Sequence, residues 1–267
     1  MNPRSRWRLN VGWWNLRAHR LVYGRIVSTY RAVARRKPVR DGVTVVTVNY
    51  NSLDKVQVLL DALARYTEEP IDIIVMDNAS KDGSQEFLRA QPGIRPILLP
   101  LNIGHGFALD LGVLAASTST VVTFDIDAFP VSAGWLAAVV DPLSDGACIA
   151  GAHVHRAYVH PCFSALRRSD FIEYRLSFAP VGRCPSPEVP ASGLYLDAGE
   201  AVSHVLSLAY GSNALHKIAP TSTIGPGVIG TIFGDVVYHN FYSTHGRGKF
   251  GRAGAEAWEQ AVRTYVS

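Results

Sequence analysis

The chain has 267 residues, of which 48% are hydrophobic and 18% charged, with a formal net charge of +4. That is the composition of a globular protein able to bury a full core, in one large domain or two fused halves, and it excludes a disordered or fibrous chain. No apolar run approaches the roughly 18–20 residues of a membrane-spanning helix.

The net charge hides an asymmetry. Residues 1–40 carry eleven of the 26 Lys and Arg and none of the 22 Asp and Glu, which leaves 15 bases against 22 acids in the remainder. The body is therefore acidic and the N-terminal arm basic. Within the arm, Trp7, Val11, Trp14, Ala18, Val22, Ile26, Tyr30 and Val33 recur at spacings of three or four, which predicts one apolar helical stripe among arginines, ended by Pro38. Two readings stand side by side. The helix lies at an anionic membrane surface, with its tryptophans at the interface, or it docks on its own domain or a second subunit in a homo-oligomer. Both uses are assigned to residues 1–38, and nucleic acid is not an expected partner.

From residue 41 strands and helices alternate. The runs 43–50, 71–77, 94–100 and 120–127 read as strands rich in Val and Ile. Helices are expected behind them, through Val56, Leu59, Leu60 and Leu63, then over 84–90 and 106–116. This pattern predicts an α/β fold with a mainly parallel, Rossmann-like sheet flanked by helices, whose ligands sit at the carboxyl ends of the strands. Asn49 and Asn51, Asp77 and Asn78, Asn102, and Asp125 and Asp127 fall at those ends. The last pair is the sharpest signal. Two acids two residues apart on a strand share a face, and like charges so close need a proton, a cation or solvent to relieve them.

Beyond residue 145 the periodicity weakens. A strand is expected over 149–154, a Pro-rich loop over 183–193, a helix over 197–211 capped by Gly211, a strand ending near His239, and a closing helix. The expected division is a basic arm (1–40), a half of alternating strands and helices (41–145) and a less periodic second half (146–267). Cys148, Cys162 and Cys184 lack metal-type spacing, and no secretory leader is apparent. A cytoplasmic protein with free thiols, peripheral at the membrane if the arm binds lipid, is expected.

Four stretches, "TVVTVNYNS", "VMDNASKDGS", "NIGHGFALDLG" and "FDIDAFP", occur in that order on the predicted elements. In them the sequence resembles the family 2 glycosyltransferases of the GT-A fold, well over residues 43–140 and loosely elsewhere. The resemblance implies an enzyme that moves a sugar, a hexose in the main, from a nucleoside-diphosphate donor to a glycan, lipid-linked or small-molecule acceptor with inversion. It also implies Mn²⁺ or Mg²⁺ at the D-x-D, held by Asp127 and Asp125, with the first acid also near the sugar or ribose. A hard cation of this kind takes carboxylate and phosphate oxygens together, which answers the repulsion. By the same resemblance Asp77, Asn49, Asn51 and Asn102 line the nucleotide pocket, His239 completes the metal site, and Arg247 and Lys249, beside His245, clamp the diphosphate.

Two departures stand out. Leu109-Asp110 replaces the Arg-Asn pair usual after the Asn-Gly segment, with His105 as the nearest substitute. The acidic Glu-Asp pair that supplies the base is absent, and Asp197 and Glu200 at a helix start are the nearest equivalent, Asp197 being preferred. His153, His155 and His160 read as acceptor-site or structural residues rather than ligands. A non-catalytic sugar-nucleotide or glycan-binding protein and a nucleotidyltransferase remain alternative readings.

Overall fold

Valine and isoleucine runs make the centre of the protein. The computed structural model describes residues 3–154, 158–180, 197–241 and 251–267, with side chains from residue 18. After a long helix α1 (Pro3–Ala34) the chain alternates: β1 (Arg40–Asn49), α2 (Leu53–Tyr66), β2 (Ile71–Asp77), α3 (Ser84–Ala90), β3 (Ile94–Leu98), α4 (His105–Ala115) and β4 (Thr118–Phe124). These four strands are parallel, in the order β3-β2-β1-β4. Beyond α5 (Trp135–Ser144), strands β6 (Ile149–Ala152) and β7 (Phe163–Arg167) extend the same sheet, and β8 (Leu215–Ile218) finishes it. β7 runs antiparallel to β4, so the sheet is mixed at that side.

Alternate strand residues feed two cores, as the period of two requires. Val45, Val75 and Val122 pack with Val56, Leu59, Leu63 and Leu88 of α2 and α3. Val46, Ile74, Met76 and Val121 pack on the other face with Leu109 and Val113 of α4. Each fully buried aliphatic side chain contributes about 1.5–3 kcal/mol. Helix α4 lies close on the sheet because position 112 is glycine. A Cβ there would stand 2.3 Å from Val46 Cγ1.

A second sheet, β5 (Ala128–Pro130), β11 (Val237–His239), β10 (Thr231–Phe233) and β9 (Pro220–Thr223), is antiparallel throughout. The single strand expected before His239 is thus a hairpin. It turns at Gly234-Asp235, both with positive φ (56° and 58°), the backbone that two-residue hairpin turns demand. Helices α6 (Arg168–Glu173), α7 (Glu200–Tyr210) and α8 (Gly251–Tyr265) complete the described elements.

Two expectations are corrected. The D-x-D is not on a strand. β4 ends at Phe124, and Asp125-Ile126-Asp127 forms a turn, closed by the Ala128 N–H on the Asp125 carbonyl, that hands the chain to β5. Nor does α1 bury its apolar stripe. Tyr23, Val27, Arg31 and Ala34 face the domain instead, while Val22, Ile26, Tyr30 and Val33 point outward. The reason is polar. The Arg31 guanidinium donates to the carbonyls of Phe171 and Leu176, and Arg20 to that of Pro180 (2.9 Å), so the arginines bind carbonyls of α6 and the segment after it that an apolar face could not engage. Arg168 likewise donates to Ala34 O and Leu114 O, tying α1 to α4.

Candidate active site

The carboxyl ends of the parallel strands open on a cleft of about 660 Å³. On the D-x-D side, the turn after β4 and the end of β11 meet because β5 and β11 pair, with Ala128 opposite His239. His239 Nε2 lies 3.3 Å from Asp127 Oδ1 and 3.6 Å from Asp125 Oδ2, and His105 Nε2, at the start of α4, is 3.1 Å from Asp125 Oδ1. Asp127 and His239 are buried and Asp125 partly so, yet all three border the cleft.

The electrostatics follow from this clustering. Burial works against charge on His239, but Cys162 and Asp127 outweigh it and raise its pKa well above the usual value. Burial also opposes ionisation of Asp125; His105, by hydrogen bond and charge, then His160 and His239, hold that carboxyl well below the usual range. The acids and the imidazole thus favour a positive charge at this point, and a bound cation would take the place of the His239 proton. The same groups suit a divalent cation. One ligand atom from each of Asp125, Asp127 and His239 lies within 4.8 Å of the others, and two hard carboxylate oxygens with one imidazole nitrogen are donors that Mn²⁺ and Mg²⁺ accept.

The far wall is built from asparagines. Asn78 Nδ2 donates to Asn102 Oδ1 (3.0 Å), and Asn78 Oδ1 accepts the Ile103 N–H (2.9 Å), joining the ends of β2 and β3. Asn51, with a positive φ of 48°, accepts the Lys81 N–H (2.7 Å). Asn51, Asn78 and Asn102 border the cleft, with Tyr50 and Lys55. Asp77 and Asn49 do not. Both are fully buried, and Asp77 accepts from Asn49 Nδ2, Ser80 N and Gln85 Nε2, each at 2.9 Å. They lie beneath the wall and hold its turn. Asp82 serves two helix starts, accepting the Leu53 N–H at α2 and the Ser84 N–H at α3, while Gln85 reaches Asp77 rather than closing a capping box.

On the acceptor side Asp197 and Glu200 separate. Asp197 is exposed and borders the cleft, whereas Glu200 is buried, its Oε2 accepting the Asp197 N–H (3.0 Å). His160 also borders the cleft, its ring 5.9 Å from that of His239. His155, Arg247, Lys249 and His245 lie outside the described residues, as does Cys184; Cys148 and Cys162 are free and buried. Leu109 and Asp110, in place of the Arg-Asn pair, are buried away from the cleft, and His105 is the α4 side chain that faces it. Sequence reasoning placed Asn78 at a strand end without assigning it a contact, and did not single out Tyr50 or Lys55. Asn78 was visible in "DNAS" beside Asp77, and Lys55 in the first turn of the helix that opens at the cleft.

A mainly parallel sheet with an asparagine-lined wall and an Asp-Asp-His cluster at its carboxyl end fits a GT-A-type, nucleotide-sugar-dependent glycosyltransferase. The profile of glycosyl transferase family 2 matches residues 44–178, and the chain belongs to that family. Among solved structures it is similar to the mannosyltransferase PcManGT from Pyrobaculum calidifontis in complex with GDP-Man and Mn²⁺. The TM-score is 0.52 at 19% identity, over 78% of this chain and 67% of that one. It is also similar to glucosyl-3-phosphoglycerate synthase from Mycobacterium tuberculosis in complex with phosphoglyceric acid, with a TM-score of 0.52 at 15% identity, over 88% and 83%. At such identities the likeness is one of fold. No curated protein matches the chain by sequence.

Proposed function

We propose that the enzyme transfers a hexose from a nucleoside-diphosphate sugar to an acceptor hydroxyl with inversion, using Mn²⁺ or Mg²⁺ held by Asp125, Asp127 and His239. The observation that carries this reading is the convergence of those three side chains, from the turn after β4 and the end of β11, on one point of the cleft. When bound, the cation supplies positive charge against the diphosphate that leaves. Residues 41–145 take the donor and 146–267 the acceptor. Asn51, Asn78 and Asn102 offer amides to the nucleoside, and Lys55 offers its ammonium to the diphosphate. Asp77 and Asn49 hold the turn beneath. Arg247 and Lys249 are proposed as further diphosphate contacts.

Asp197 is the base. As the acceptor oxygen bonds to the anomeric carbon, its proton passes to the Asp197 carboxylate and the bond from carbon to the diphosphate oxygen breaks. Glu200 positions Asp197 through its main-chain N–H. The acceptor is a glycan, a lipid-linked alcohol or a small molecule, and the setting cytoplasmic, at the membrane face.

Asp127→Ala removes one of two carboxylate ligands. It is expected to abolish release of nucleoside diphosphate from the donor while leaving the thermal midpoint of the unliganded protein within a few degrees. Full turnover in this variant overturns the assignment.

A further inference from the structure

One flank of α1, about a quarter-turn from the face that docks on the domain, carries an uncovered apolar strip. Val22, Ile26, Tyr30 and Val33 are 58%, 41%, 55% and 51% exposed, and Leu21 beside them 68%. At 1.5 Å per residue the stripe from Val22 to Val33 runs about 16 Å. Arg25, Arg35, Arg36 and Lys37 are exposed on and just beyond the same helix, and residues 1–40 hold no acid. The neighbouring face, through Tyr23, Val27, Arg31 and Ala34, already fixes the helix to the domain, and the strip beside it is left about half exposed. An exposed apolar strip of this length marks a docking surface.

We propose that this face docks on an anionic lipid surface. Apolar side chains flanked by arginines are the composition of a helix that lies in the headgroup region, where the strip enters the acyl boundary and the bases meet anionic headgroups. No helix among the described residues is long and apolar enough to cross a membrane, so α1 lies on the bilayer rather than through it. A second copy is the poorer occupant. A two-fold contact sets a patch against itself, and here the bases flanking the strip would meet the same bases with no acid to pair them.

The docked orientation follows from α4. Tyr23 packs on Phe107 in the first turn of α4, and Arg168 joins Ala34 to Leu114 near its end, so the two helices run the same way. The earlier turns of α1 are therefore on the cleft side of the sheet, and a docked α1 holds the cleft mouth beside the bilayer. This proposal is independent of the chemistry assigned to the cleft.

The test is co-sedimentation of the full chain with vesicles of phosphatidylcholine and phosphatidylglycerol in equal parts, against vesicles of phosphatidylcholine alone. Binding to the mixed vesicles only is expected, weakened by high salt. Two double variants, Ile26→Asp with Val33→Asp and Arg25→Glu with Arg36→Glu, are each expected to lower it by about tenfold or more. These positions are exposed, so the thermal midpoint should not move. Failure to bind, equal binding to neutral vesicles, or full binding by the apolar-strip variant overturns the proposal. Conversion of a dimer to a monomer by that variant, with lipid binding unchanged, assigns the face to a second copy instead.

Discussion

Asp197 and Glu200 stand three residues apart and do different things. Glu200 is buried against the Asp197 N–H, while the Asp197 carboxylate is exposed on the cleft. Proton transfer by a positioned side chain contributes about 10²–10⁴-fold. Asp197→Asn should therefore lower kcat by about that factor and leave donor binding, read by thermal shift, unchanged. Glu200→Gln keeps an acceptor oxygen for the same N–H and should lower kcat far less. Equal losses in both variants would remove the distinction between base and positioning residue. At this scale the sequence was legible where side chains lie within a few residues past a strand end, as at Asn51, Asn102 and Asp125. It was silent on which acids were already spoken for. Asp77 has its partners on two other segments, Asn49 on β1 and Gln85 on α3, and nothing local to "VMDNAS" announces them.

Asp110 joins elements rather than serving the cleft. From α4 its carboxylate accepts the Ser177 hydroxyl (2.5 Å) and the Phe178 N–H (2.7 Å), pinning the segment after α6 to α4. Burial pushes its pKa up to about 7 against the two hydrogen bonds and the charges of Arg31 and Arg20, both reaching in from α1. The unfolded group ionises near 4. Between about pH 4 and 7 the unfolded chain has released a proton that the folded chain retains, so this group's contribution to stability falls as pH rises and is lowest above 7. In urea denaturation from pH 4 to 8, Asp110→Asn should gain stability relative to the native chain as pH increases. A difference independent of pH would mean that burial does not govern this carboxyl. Among the elements, β2 and α3 were legible to the residue, since a continuous Ile and Val run ends in acid and a Ser opens the next helix. The β10–β11 hairpin was not, because each strand has three residues, too few for a period to show. The docking face of α1 was not legible either. The helix is apolar on two sides, and arginine side chains chose between them.

Across the whole molecule, the Asp-Asp-His cluster is shared by two sheets. Asp125 follows β4 of the parallel sheet, and His239 ends β11 of the antiparallel one. A donor and a cation that bind there should stabilise the fold as one unit. A ligand at about 100 times its Kd adds about 2.7 kcal/mol. Thermal midpoints with UDP, GDP, dTDP, ADP and CMP, each with and without Mn²⁺, should rise for one nucleoside diphosphate, and only with the metal. That rise should vanish in Asp127→Ala. No rise with any of them would leave the Asp-Asp-His cluster without its proposed ligand.

The asparagine wall has a further consequence. Asn78 is fastened to Asn102 and Ile103, Asn51 to Lys81, and the turn between them to Asp77. The entropy of ordering these loops is spent during folding, before any donor arrives. Such a wall is preorganised: it presents fixed amides at fixed angles and gains little by adapting. On the proposed reading of this wall as the nucleoside site, affinity is kept for the nucleotide whose edge matches, and a base of the wrong shape meets a surface that does not yield.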